Sequence, residues 1–96
     1  MTPSFTVCTT PRFDRLLRSL HRRHTALVAV YAEAIAILST DPYNRSRQHR
    51  IRKLESIRQG EGAYRLALGR WRFRYDIYDQ EVVLQYCGLR QEDTYR

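Results

Sequence analysis

Residues 63–88 read AYRLALGRWRFRYDIYDQEVVLQYCG, and the alternation in this stretch decides the fold. Apolar and polar side chains change places with period two, the pattern of strands that bury one face. It divides into three strands, Ala63 to Leu68, Trp71 to Tyr78 and Glu81 to Gly88. Gly69-Arg70 is a two-residue hairpin turn with glycine first, the type II′ choice, whereas Asp79-Gln80 is a poorer turn pair. With both turns kept at two residues, Leu68 faces Trp71, Leu66 faces Phe73 and Tyr64 faces Tyr75. The same face continues with Ile77 opposite Val82, Tyr75 opposite Leu84, Phe73 opposite Tyr86 and Trp71 over Gly88. That face is apolar throughout and demands a cover.

The segments before the sheet supply the cover. Ser4 to Thr9 alternates and is β-branched, so it reads as a short strand. Thr10 is an N-cap, Pro11 stands at the first helical position, and Asp14 lies where the helix dipole favours a negative charge. Phe13, Leu16, Leu17 and Leu20 then make one apolar helical face. A second helix is predicted from about Thr25 to Ser39, with Val28, Tyr31, Ile35 and Leu38 as its stripe, ended by Asp41-Pro42. Residues 42–62 show the least regularity. The expected fold is α+β: one domain over residues 1–96, ordered β-α-α-β-β-β, with a two-helix hairpin packed on an antiparallel sheet.

Composition narrows the function. The chain is an ordinary folded protein by its 43% hydrophobic and 28% charged residues. Its charge is not ordinary: seventeen Lys and Arg stand against ten Asp and Glu, a net +7, and every basic residue but Lys53 is Arg. Guanidinium groups grip phosphates bidentately, so the surface calls for a polyanion. Cys8 and Cys87 lack the further soft ligands of a metal site and read as free thiols. Met1 to Thr10 has no signal-peptide pattern, and the apolar stretch Ala26 to Leu38, which contains Glu33, is far short of the ~20 residues of a membrane span, so a cytoplasmic protein is expected.

The polar face of the sheet is where chemistry concentrates. The predicted register sets Arg65 opposite Arg74 and Ala67 opposite Arg72, then Arg74 opposite Gln85 and Arg72 opposite Cys87. Like charges directly across a strand pair destabilise a sheet. Such a face is either solvated, with Arg74 turned diagonally to Asp76, or awaits an anion from elsewhere. Arg90 follows the last strand and Tyr95 is almost terminal. Arg45, Arg47, Arg50, Arg52, Lys53 and Arg58 crowd the segment before the sheet.

Tyr64-Arg65-Leu66, Gly69 to Ile77, Val82 to Arg90 and the terminal Tyr95-Arg96, in this order and spacing, resemble the RelE/ParE toxin superfamily along essentially the whole chain. The resemblance implies a toxin held inactive by an antitoxin. RelE-type members cut messenger RNA in the ribosomal A site, and ParE-type members poison DNA gyrase. The residues matching the RelE-type site are Arg72 on the middle strand, Arg65 on the strand before it, Arg90 after the last strand and the near-terminal Tyr95. ParE-type members usually lack that tyrosine. A second basic residue common before the middle strand is replaced by Ala67. The implied reaction needs no metal and no cofactor, because RNA brings its own 2′-hydroxyl nucleophile. Arg72 and Arg90 would stabilise the charge on the phosphate, and Tyr95 would move the proton, with His49 as runner-up. Arg45, Arg47, Arg50, Arg52, Lys53 and Arg74 would hold the RNA backbone, or receive an acidic, helical antitoxin. A gyrase inhibitor and an RNA-binding module without catalysis are the rival readings.

Overall fold

A computed structural model describes residues 4–90. The elements are β1 (Thr6–Thr9), α1 (Pro11–Arg23), α2 (Leu27–Thr40), β2 (Arg50–Lys53), β3 (Tyr64–Leu68), β4 (Trp71–Tyr78) and β5 (Glu81–Leu89). The helix start is as the sequence predicts: the Thr10 hydroxyl accepts a hydrogen bond from the Phe13 N–H at 3.1 Å, Pro11 opens α1, and Phe13 is wholly buried. His24 closes the helix by donating its N–H to the Leu20 carbonyl at 2.9 Å. A three-residue link then leads into α2.

The second helix begins two residues later than predicted, and its inward line shifts with it. Leu27, Ala34 and Leu38 are the buried positions, and Tyr31 and Ile35 pack against the core. Val28, expected on the stripe, is 59% exposed. The predicted stripe kept helical spacing but started one residue late. The line Leu27, Tyr31, Ala34, Leu38 satisfies the same spacing with a better fit to the sheet.

The sheet is five-stranded and mixed, in the order β1-β5-β4-β3-β2. β1 runs parallel to β5, with Thr6 beside Glu81 and Thr9 beside Leu84; the other pairs are antiparallel. The predicted hairpin pairing of β3 with β4 holds at every position, from Tyr64–Tyr75 to Leu68–Trp71. Gly69 has φ +60° and Arg70 is not among the residues with positive φ, which is the II′ pattern. Leu66, Phe73, Tyr75, Val82 and Leu84 lie at 0% exposure against the helices. α+β architecture and the helix pair packed on the sheet are therefore as expected.

The sheet is mixed and not wholly antiparallel as expected, because β1 joins β5 in parallel. Two further features differ from expectation. The first is β2, a short strand inside the segment that had no readable period. It pairs with β3, Arg50 to Ala67, Ile51 to Leu66, Arg52 to Arg65 and Lys53 to Tyr64. The second is a bulge in the β4–β5 ladder, where Arg74 pairs with Tyr86 and the next residue, Tyr75, pairs with Leu84. Gln85 is the extra residue. Beyond it the predicted pairs are replaced: Phe73 faces Cys87 instead of Tyr86, Arg72 faces Gly88 instead of Cys87, and Trp71 faces Leu89. The physical reason is space. Phe13, Tyr31 and Phe73 already fill the core there, with ring centroids 5.8 and 6.5 Å apart. A thiol at 1% exposure fits beside them, and the bulge turns the tyrosine to the other face.

Candidate nucleic-acid interface

The face of the sheet away from the helices is assembled from register alone, because directly paired residues point the same way. One cross-strand row reads Arg52, Arg65, Arg74, Tyr86. The next reads Arg50, Ala67, Arg72, Gly88. Five arginines thus share one face, two of them supplied by β2. Arg50, Arg52 and Arg65 take part in no ion pair among the described residues.

Two of the five are anchored by backbone oxygens. Arg74 donates from Nε to the Gly62 carbonyl at 3.0 Å and from Nη2 to the Glu61 carbonyl at 2.9 Å. Arg72 donates from Nη1 to the carbonyls of Gly69 at 2.8 Å and Trp71 at 3.0 Å. Asp76 does not pair diagonally with Arg74. It is buried, and it accepts from the N–H groups of Gly62 at 2.9 Å and Ala63 at 3.0 Å and from the Gln85 amide at 3.0 Å. Arg74 and Asp76 together hold the turn at residues 60–63 against this face. Gly62, with φ +81°, is needed there, since a Cβ would fall 3.0 Å from the Arg74 Cβ.

The remaining predicted residues divide. Arg90 donates its N–H to the Arg70 carbonyl at 2.6 Å, so the ladder continues past Leu89. The bulge sets the alternation so that Arg90 falls on the face of Gly88 and the arginines; the flush register would have placed it on the core side. Lys53 belongs to the opposite face, with Nζ 6.0 Å from the Tyr64 ring centre. Arg45 lies 5.2 Å from the Tyr43 ring centre, and Arg47 holds φ +60° in the turn before β2. His49 is 3.8 Å from the Asp41 carboxylate, and its backbone is bracketed by the Asn44 side chain at 2.9 and 3.1 Å. Tyr95 lies outside the described residues.

Two residues were not singled out in the sequence. Tyr86 closes the first arginine row, and the Arg12 guanidinium, from the first turn of α1, stands 5.8 Å from its ring centre. The period-two reading had placed Tyr86 in the core, and no residue type flags the bulge that moves it.

Known proteins are similar in fold. No family model and no curated protein sequence matches the chain. Among solved structures, a toxin–antitoxin complex, RelBE2 of Mycobacterium tuberculosis, contains a chain 29% identical to this one, with a TM-score of 0.65 over 94% of both chains. The archaeal RelE–RelB complex of Pyrococcus horikoshii contains a chain with 20% identity and a TM-score of 0.61, covering 93% of this chain and 98% of that one, a likeness of fold. Element order, sheet and these likenesses agree with the resemblance carried by the sequence, and the mycobacterial neighbour supports a RelE-type toxin.

Proposed function

We propose that this protein is the toxin of a toxin–antitoxin pair, acting in the cytoplasm as a ribosome-dependent endoribonuclease on messenger RNA. The observation that carries the reading is the face shared by Arg50, Arg52, Arg65, Arg72 and Arg74, with Arg90 following on the same side. A surface that gathers guanidinium groups suits a phosphate backbone. The likeness to a mycobacterial toxin–antitoxin complex supports a protein partner that silences it. Among the described residues no helix is long and apolar enough to cross a membrane.

In this reading the RNA 2′-hydroxyl attacks the adjacent phosphate, which needs no metal ion. Arg72 and Arg90 stabilise the charge that builds on the non-bridging oxygens, an effect worth several kcal/mol in a preorganised site. Tyr95 moves the proton, contributing ~10²–10⁴-fold. Expression in a bacterium tests the proposal. Rapid translation arrest with messenger RNA cut inside codons is the expected outcome; DNA breaks with intact RNA overturn it. Arg72→Ala and Tyr95→Phe are expected to abolish toxicity while thermal unfolding shows a native fold, and full toxicity of both variants removes the site assignment.

A further inference from the structure

We infer that Tyr86 is a stacking platform for one nucleobase of a single RNA strand, set at the end of the arginine row by the bulge and by Gly88. The inference rests on the RNA-binding reading above and adds a base contact to it.

The ring does not stand up from the sheet. A Cβ built at Gly88 falls 2.5 Å from Tyr86 Oη and 3.0 and 3.1 Å from the ring atoms Cζ and Cε2, so the ring lies over Gly88 along its own strand. The φ of Gly88 is not positive, so glycine is there for room. No hydrogen bond is recorded for the Tyr86 hydroxyl among those of the described residues, whereas Tyr75 Oη donates to the Pro42 carbonyl at 2.7 Å. The core has no use for the Tyr86 ring: the bulge gives the core position to Cys87.

The neighbours specify the ligand. Tyr86 is directly paired with Arg74, in the row that continues to Arg65 and Arg52, and the exposed Arg12 guanidinium lies over its ring, 5.8 Å from the centre, a cation that a stacking base displaces. Three inter-strand steps of ~4.8 Å put Tyr86 about 14 Å from Arg52, a width that a short single strand spans. Arginines alone grip phosphates without regard to the bases. A flat aromatic ring beside such a grip takes up the π-face of a base, and this works for any base. The small side chain of Ala67 and the absence of one at Gly88 leave the second row low enough for a nucleotide to lie along it.

The test uses the purified full-length chain and two probes of comparable charge, a labelled hexa-adenylate and inorganic polyphosphate. Tyr86→Leu is expected to weaken hexa-adenylate binding about tenfold and leave polyphosphate binding unchanged. Tyr86→Phe is expected to bind both probes as the wild type does. Gly88→Ala, which keeps every other side chain and pushes the ring off its seat, is expected to reproduce the loss for hexa-adenylate; it stands in if Tyr86→Leu proves unfolded by thermal melting. Equal affinity of Tyr86→Leu and wild type for hexa-adenylate, or an equal loss for both probes, overturns the platform while RNA binding by the arginine face stands. A wild-type chain that binds polyphosphate no worse than hexa-adenylate also overturns it. A wild-type chain that binds neither probe removes the RNA-binding reading itself and the platform with it.

Discussion

Asp76 shows how much one buried side chain holds in this molecule. Its two oxygens accept from Gly62, Ala63 and Gln85, and no cation pairs with it among the described residues. Replacing it with Ala leaves the two buried N–H groups of Gly62 and Ala63 unsatisfied, each costing ~1–3 kcal/mol. Asp76→Ala is therefore expected to lower unfolding free energy by about 2–4 kcal/mol in a urea titration. Asp41 works similarly in the turn after α2. Burial pushes its carboxyl up, but the Ser46 hydroxyl, the N–H groups of Arg45 and Ser46, and His49 together hold it below the ordinary aspartate value. A folded pKa below the unfolded one means stability is fully present above about pH 4 and lost as pH falls through the lower folded value. Asp41→Asn is expected to flatten that acid limb of a stability–pH curve. Burial pushes the Cys87 thiol up to about 11, so it stays protonated at neutral pH. Cys87 is expected to resist iodoacetamide until the protein unfolds.

At the scale of elements, the hairpin of β3 and β4 was legible because period-two patterning and a Gly-first turn agree with each other. The four residues of β2, Arg-Ile-Arg-Lys, were not: one apolar residue makes no pattern, and β3 imposes the strand by offering its edge. The bulge was illegible for a different reason. It is selected by what the core has room for, which local sequence does not carry. The candidate site followed the same division, since Arg65, Arg72 and Arg74 were placed by pattern and Tyr86 was misplaced with the bulge. Deleting Gln85 is expected to close the bulge while Tyr86 stays opposite Arg74 and Cys87 opposite Phe73, so that it costs, like Gln85→Ala, about 1 kcal/mol for the lost hydrogen bond to Asp76. Comparing thermal melts of the two variants checks this. The Asp79-Gln80 turn holds Asp79 at φ +58°, where glycine is at ease. Asp79→Gly is expected to raise stability by about 0.5–1 kcal/mol.

Across the whole molecule, the sheet divides labour between its two sides. One side meets the helices with a continuous apolar layer, and the aromatic series Phe5, Tyr43, Tyr64, Tyr75 extends that layer to the turn after α2. The other collects arginines from β2, β3 and β4. A chain of net charge +7 binds polyanions in a strongly salt-dependent way. For single-stranded RNA, each phosphate neutralised adds about −0.7 to the slope of log K against log salt. Arg65→Ala is expected to make that slope shallower by roughly that amount, measured by anisotropy of a labelled oligonucleotide over a salt series.

Gln85 also acts as a phase shift. Every residue after it reads in antiphase to the positions before it, so its facing is inherited from an upstream insertion and not from its own chemistry. A relative that kept this residue but paired flush would show the same letters in the same order and yet turn its tyrosine inward and its last arginine away from the arginine face. Identity counted column by column across this strand therefore mistakes matched residues for matched surfaces. For this fold, a one-residue gap placed at position 85 is what brings a flush-paired strand and this one back into columns that share a face.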